Sequence, residues 1–595
     1  MRRRRRDESP DRADAKESIA HYKLHPAQFL PPSSPPSLYT ATCDKCCSQG
    51  NSYIVDTTSS ILGEVDITSK TCESLCQRLV MMSVASVYSK GVLVSPGQLE
   101  VLRTVVKSGA VVVMSLTSHQ GPVSDAVLQT LSLLTHGVRP SLISVRDMQT
   151  WSSWALSVLG LEVTQDNQGD FAKIIKKGGI VMTENVTDTV RTLIDKSTDR
   201  NLLVVPSSVS HDLCHGSRRG HRARLEVGRP MSVREMTRGQ DCGLATIVAH
   251  CDIIERRQTR VTPSQLLTFA VQSGFQNLKQ QELTVEDLSK AVSGLIPMLE
   301  ARGARMSFSG EAEDVVNWAV IRMGGHISSD KVNLELDDEA ILRAESLLTY
   351  FLFDYAVSVG VYSSLRESIL TSRPGMKSRG QSVTVGHQEV VDTALTVVQF
   401  LGEDRASLLP CEDLTQGVME AMFRAETSGS LVTETEERGS QYESEMSERQ
   451  KYGWRHGREA EEDWNVDEDG VSKDTRMVVG HSQEGRNWLN WTARIMRHRL
   501  RNLYITLLIL YNNADTDIFV LTELEAMVTE EVERRKRKGW KESCLFQTSS
   551  ATRKSITSLE LLGFIKIIPK KEICLVKVIG FPEIAEMLQV ILELG

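Results

Sequence analysis

GAVVVMSLTSHQGPVSDAVLQTLSLL, Gly109 to Leu134, sets a β-branched apolar run and a leucine-rich run on either side of a polar loop. The first run reads as a buried strand, and the loop beyond it carries His119 and, six positions on, Asp125. Four similar runs follow at Pro140–Val145 (PSLISV), Gly178–Met182 (GGIVM), Asn201–Pro206 (NLLVVP) and Ala223–Gly228 (ARLEVG). Helical segments separate the first four, the alternation expected of an α/β fold whose sheet carries helices on both faces. In such folds chemistry gathers at the strand carboxyl ends. His119 and Asp125 are therefore a candidate site pair, the other readings being the remnant of a site or a polar loop without a catalytic role.

At 595 residues the chain is too long for a single core and is expected to form two to four domains. With 41% hydrophobic and 25% charged residues it reads as globular, and a net charge of -8 argues against a nucleic-acid binder that uses its whole surface. The eleven cysteines are spread thinly, which points to a reducing compartment. Cys43, Cys46, Cys47, Cys72 and Cys76 have irregular gaps and no accompanying histidine pair, so no metal is assigned to them. The opening MRRRRRDESPDR lacks the apolar centre of a secretory signal, and no clean spanning helix is expected. Leu347–Leu365 (LLTYFLFDYAVSVGVYSSL) comes nearest. Interrupted by Asp354, it reads either as a buried core helix or as a helix lying on a membrane surface.

Along the chain, residues 1–50 read as a disordered Arg-, Pro- and Ser-rich tail and 51–107 as a helical N-terminal region. The α/β core spans 108–240, and 241–424 is mainly helical. Within it Ala312, Val315, Val316, Ala319, Val320 and Met323 keep one helix face apolar until Gly324 and Gly325 stop it. Residues 425–480 are too charged to pack and read as a flexible linker, followed by a C-terminal α+β region over 481–595. There RKSITSLELLGF is expected to be a helix ending at Gly563, and FIKIIPKKEICLVKVI a hairpin turning near Pro569 and Lys570. Helix plus hairpin, with the basic EEVERRKRKGW ahead of them, suggests a winged nucleic-acid module; a solvated charged face is the more ordinary reading, and no nucleic-acid partner is assigned.

Several strings carry a resemblance. SPGQLEVLRTVVKSGAVVVMSLTSHQGPVSD, NLLVVPSSVSHD, ARLEVGRPMSVREM and LEARGARMSFSGEAEDVV stand in the order found in the glycerol-3-phosphate acyltransferase / dihydroxyacetone-phosphate acyltransferase family, mitochondrial type. LEARGARMSFSGEAEDVV is similar to that family's Arg-Gly-x-x-x-x-Phe-Ser-Gly segment, and KESCLFQTSSATRKSITSLELLGFIKI to its closing helix and hairpin. From about Cys43 to the end the chain resembles the family, in the direction of its divergent second mitochondrial isoform. The resemblance implies an acyltransferase-type sheet at 108–240 and transfer of a fatty acyl group from acyl-CoA to glycerol 3-phosphate. His119 would take the proton of the 1-hydroxyl, Asp125 would orient His119, and no cofactor is implied beyond the acyl-CoA co-substrate. The implied location is the mitochondrial outer membrane, held peripherally or monotopically at the membrane surface. Pro206, Ser208, Ser210 and Asp212 keep the family's fourth block, which shapes the pocket; His211 replaces its usual tyrosine.

The chain also departs from the family. Where the first block reads His, four residues, Asp, this chain has five intervening residues. On a continuous helix one added residue swings a side chain by about 100°. Pro122, however, favours a helix start near that position, which leaves His119 in a loop able to absorb the addition. The family's Gly-Gly-x-Phe-x-Arg-Arg block is here VLGLEVTQD, Val158–Asp166, without arginine, and the Glu-Gly-x-Arg-Ser block is missing. Each lost charge-assisted hydrogen bond is worth about 1.5–3 kcal/mol, and two missing arginines weaken phosphate binding by roughly 10² to 10⁴-fold. Arg218, Arg219, Arg222 and Arg224 are the candidate substitutes, with a solvated basic loop as the other reading. The expectation is therefore a weak glycerol-3-phosphate acyltransferase, the alternative a catalytically silent scaffold on the mitochondrial surface.

Overall fold

The fold is that of a computed structural model. It describes residues 63–65, 75–88, 92–94, 96–116, 124–135, 137–144, 150–164, 171–196, 202–212, 221–228, 230–234, 244–275, 283–308, 310–328, 330–371, 384–401, 414–434, 476–479, 482–513, 516, 518–538, 549–569 and 574–578. The chain divides into two compact units, Met1–Tyr350 with Asp404–Glu412, and Phe351–Glu403 with Asp413–Gly595.

The first unit is α/β. Its elements begin with β1 (Gly63–Val65), α1 (Leu75–Val87), β2 (Val92–Val94), α2 (Pro96–Lys107), β3 (Val111–Ser115), α3 (Asp125–Thr135), β4 (Leu142–Ser144), α4 (Thr150–Val158) and β5 (Glu162–Thr164). They continue with α5 (Phe171–Lys177), β6 (Gly179–Thr183), α6 (Val186–Lys196), β7 (Leu202–Val205), β8 (Ser207–Asp212), β9 (Arg222–Val227), β10 (Met231–Ser232) and α7 (Leu244–Gln258). A six-stranded sheet has the order β10-β7-β3-β6-β4-β5. All its pairings are parallel except that of the edge strand β10.

Strand side chains alternate between faces, and here the alternation builds two cores. Val112, Met114, Ile180, Met182, Leu203 and Val205 pack on one face with residues of α1 to α4. Val111, Val113, Val181, Leu202 and Val204 pack on the other with residues of α5, α6 and α7. A sheet apolar on both faces needs helices on both, which is why these strands read as unbroken apolar runs. The five strands expected from such runs are all present.

Pro206, which has no N–H to give to a ladder, separates β7 in this sheet from β8 in a second, four-stranded one of order β1-β2-β9-β8. Two bonds stitch the crossing to β3: the Ser207 backbone N–H donates to Ser115 Oγ (2.9 Å), and the Ser207 hydroxyl donates to the Ser115 carbonyl (2.6 Å). On the far side Gly228 N–H donates to the Pro206 carbonyl at 2.7 Å.

Several expectations change. The stretch 51–107 contains β1 and β2 besides helices; strands of three residues are too short to show a period. Ser207–Asp212 is a six-residue strand that the run pattern did not show, because its serines hide the apolar signature. Glu162–Thr164 is an edge strand, partly exposed and too polar to read as one. The helix after β3 starts at Asp125, three residues beyond Pro122.

Beyond α7 the unit is helical, with α8 (Pro263–Ser273), α9 (Val285–Ala301), α10 (Ala312–Arg322) and α11 (Asp338–Glu345), and strands of only two or three residues. The apolar face foreseen for α10 is buried at Val315, Val316, Ala319 and Val320, and Gly324 ends it at φ 75°.

In the second unit α12 (Leu352–Thr371) is a core helix: Leu352 to Val361 are all buried, and Asp354 is ion-paired with Arg424 at 3.2 Å. The membrane-surface reading of this segment is set aside, because a paired carboxylate can be buried in protein. The two ends of the expected linker are ordered as a ladder, with Leu431–Glu434 antiparallel to Arg476–Val479. Residues 435–475, the tail 1–50, Cys43, Cys46, Cys47 and Cys72 lie outside the described residues. Among the described residues no group of three or more His, Cys, Asp or Glu could hold a metal, and no helix is long and apolar enough to cross a membrane.

The junction into β6 gives a stability test. Gly178 has φ 76°, and a Cβ there would lie 2.9 Å from the backbone of Gly109, which cannot yield. Gly178→Ala is expected to lose about 2–3 kcal/mol and to lower the thermal unfolding midpoint by several degrees. An unchanged midpoint in calorimetry would contradict the strain.

Candidate active site

The candidate site grows from the carboxyl edge of β3. Asp125 lies in the first turn of α3, where the unpaired N–H groups of a helix favour negative charge. Its Oδ1 accepts a 2.7 Å hydrogen bond from Nε2 of His211 on β8, both side chains being 1% exposed. With the proton on Nε2, Nδ1 is an acceptor, and the Tyr88 hydroxyl at the end of α1 donates to it at 3.0 Å. His221 packs edge-on to Tyr88 at 6.0 Å between ring centroids. A buried tyrosine, histidine and aspartate thus run in series across three elements. Both nitrogens of His211 are engaged, so this imidazole holds Asp125 and has no lone pair for a substrate proton.

His119, expected to stand beside Asp125, lies outside the described residues, as do Arg218 and Arg219. Of the fourth block, Pro206 is the crossing between the sheets, and period-two alternation divides the rest. Ser207, Val209 and His211 point toward α3. Ser208, Ser210 and Asp212 point the other way, the first two sharing a face with their cross-strand partners Glu226 and Arg224. The structure brings together Asp125 and His211, and separates them from Ser208, Ser210 and Asp212.

That second face is a buried charged cluster. Glu226 Oε1 lies 2.6 Å from Arg224 Nε and 3.2 Å from Arg260 Nε, and its Oε2 accepts from Gln98 at 2.9 Å. The Arg260 backbone N–H donates to Ser210 Oγ at 2.7 Å, and Arg322 donates to the Asp212 carbonyl at 2.7 Å. Arg224, a candidate for the phosphate grip, is therefore corrected to a structural role: Glu226 neutralises it, and its side chain is 4% exposed. The Ser208 hydroxyl is buried with no hydrogen-bond partner among the described residues.

The sequence reading missed His211 as the partner of Asp125 and Tyr88 as the partner of His211. A strand reading of SSVSHD would have put His211 on the face of Ser207 and Val209. Nothing near Tyr88 in the chain signals its contact, which joins residues 123 positions apart.

No protein-family model and no curated protein matches the chain.

Burial pushes the Glu226 carboxyl up, but the charges of Arg224 and Arg260 and hydrogen bonds from Gln98 and Arg224 outweigh it and lower the pKa from 4.5 to about 2. A folded-state pKa below the unfolded one stabilises the fold above the unfolded value, and the stabilisation is lost as pH falls through the folded one. The window is thus pH 4.5 down to about 2, with a contribution on the order of 3 kcal/mol. Glu226→Gln is expected to be less stable at pH 7 and to show a flatter loss of stability across that window in urea titrations; parallel profiles would exclude the pairing. His211→Leu, which deprives a buried carboxylate and a buried hydroxyl of their shared partner, is expected to lose about 3–5 kcal/mol. Chemical denaturation reads this directly, and a loss below about 1 kcal/mol would contradict the series.

Proposed function

We propose that the chain is a glycerol-3-phosphate acyltransferase of the mitochondrial type, moving a fatty acyl group from acyl-CoA to the 1-hydroxyl of glycerol 3-phosphate. One observation carries the reading: Asp125 is buried in the first turn of the helix that follows a central parallel strand, with its carboxylate fixed by His211. This is where the family's orienting aspartate would be required, at the strand carboxyl edge. In the proposed reaction His119 accepts the hydroxyl proton, the alkoxide attacks the thioester carbon, and the coenzyme A thiolate leaves and takes up that proton. Asp125 steadies His119 and stabilises its cationic form.

A membrane surface as partner is supported by an apolar patch. Leu79 and Met82 on α1 are 49% and 64% exposed, and Trp151 and Trp154 on the adjoining α4 are 38% and 46% exposed. Both pairs have i,i+3 spacing, so each lies on one helix face. Exposed tryptophans suit the boundary between lipid headgroups and acyl chains. The mitochondrial outer membrane is proposed on the family resemblance alone.

The second reading is a silent scaffold. It is favoured by the absent arginine blocks and by Arg224, Arg260 and Arg322 each being bonded to acidic residues of the fold.

Purified full-length chain, with radiolabelled palmitoyl-CoA and glycerol 3-phosphate, separates the two. The enzyme reading expects labelled lysophosphatidate from the wild type and about 10² to 10⁴-fold less from His119→Ala. Equal product from both would remove the catalytic assignment, and no product from either would leave the scaffold. In liposome flotation, Trp151→Ser with Trp154→Ser is expected to shift the protein from the lipid fraction to the soluble one; undiminished flotation would rule the patch out.

A further inference from the structure

The C-terminal segment of the second unit forms a module of its own. Its elements are α13 (Arg497–Asn512), β11 (Ile518–Val520), α14 (Leu521–Arg537), α15 (Ser549–Leu561), β12 (Ile565–Pro569) and β13 (Cys574–Val578). The strands make an antiparallel sheet of order β11-β13-β12. Leu503, Leu507, Phe519, Leu524, Ile556 and Val576 belong to one core built from these elements. Helix, strand, helix, helix, strand, strand, with the first strand pairing the last, is the winged-helix topology. In that topology the third helix, here α15, is the one offered to a nucleic-acid groove.

Charge sets this module apart. Residues 497–578 contain fifteen Lys and Arg against ten Asp and Glu, a net charge of +5 in a chain of net charge -8. Lys566 and Lys577 stand directly opposite each other in the β12–β13 ladder, both exposed, and neither has an ion pair among the described residues. Like charges facing across a ladder are destabilising, so folding alone does not favour this pair, whereas an anion lying across the sheet would. On α15 the Arg553 side chain is 69% exposed and, among the described residues, makes only a 3.6 Å surface contact with Glu525. At the end of α14, Arg537 and Lys538 are exposed.

We propose that this module binds duplex nucleic acid through its sugar–phosphate backbone. The helix α15 would enter a groove while the hairpin lysines, Lys566 and Lys577, neutralise phosphates beside it. An α-helix fits the roughly 12 Å major groove of B-form DNA, whereas the deep, narrow A-form groove admits it poorly. A duplex DNA arm and a duplex RNA arm therefore distinguish groove entry from backbone contact alone.

The test is fluorescence polarisation of the full chain with a labelled duplex of about 20 base pairs, as DNA and as RNA, over roughly 50–200 mM salt. Binding with micromolar affinity is expected, weakening steeply with salt. Lys566→Glu with Lys577→Glu is expected to weaken it at least tenfold and to reduce the salt slope by about 2. Both residues are exposed, and circular dichroism would verify that the double variant folds. Anionic phosphatidylserine vesicles form the control. No duplex binding below about 100 μM, or equal binding by the variant, would overturn the proposal. Loss of vesicle binding alone would also overturn it, and would assign the face to anionic lipid.

Discussion

The hydrogen bond between Asp125 and His211 is the constraint around which the first unit is arranged. It joins the first turn of α3 to the far end of β8 across 86 residues of chain, in a place where neither side chain reaches water. A carboxylate in such surroundings is tolerated only with donors on it, and an imidazole only with both nitrogens satisfied. Tyr88 completes the series from α1. The sheet crossing at Pro206 serves the same end: without it β8 would continue in the plane of the central sheet and His211 would not face α3. The Ser115–Ser207 bonds hold that crossing to the strand from which Asp125 follows.

The other face of β8 obeys the same physics with different groups. Glu226 sits between two guanidinium groups, so its charge is favoured strongly enough to overcome burial. Such a cluster contributes little net stability compared with apolar packing, yet removing one member leaves a charge stranded. Its functional consequence is subtraction: arginines committed to Glu226 and Asp212 are not offered to a substrate phosphate. If the chain acylates glycerol 3-phosphate, the cation that holds the phosphate must come from elsewhere, Arg218 and Arg219 being the candidates named by sequence.

Three surfaces thus have separate chemistry. The carboxyl edge of the central sheet holds a buried carboxylate suited to orienting a base. The patch of Leu79, Met82, Trp151 and Trp154 is apolar with aromatic edges, suited to a lipid boundary. The C-terminal module is cationic in an otherwise acidic chain, suited to a polyanion. A scaffold could use the last two without the first, whereas an enzyme needs the first.

What the sequence by itself determined was the part governed by local periodicity. Unbroken apolar runs specified the central strands, a 3.6-residue stripe specified α10, and the glycines at 324 and 563 marked helix ends, because burial on both faces of a sheet or one face of a helix imposes a pattern on neighbouring residues. Polar strands such as Ser207–Asp212 and Glu162–Thr164 escaped, having no apolar signature to read. Asp125 was legible as a candidate, but its partner was not: His211 reaches it only once β7 has crossed into β8, and Tyr88 reaches His211 only once α1 has packed over the sheet. Whether an arginine grips a ligand or a glutamate was likewise invisible in the chain. Tertiary structure alone decided these, since a buried charge is satisfied by whatever the fold brings within 3 Å, regardless of distance along the sequence.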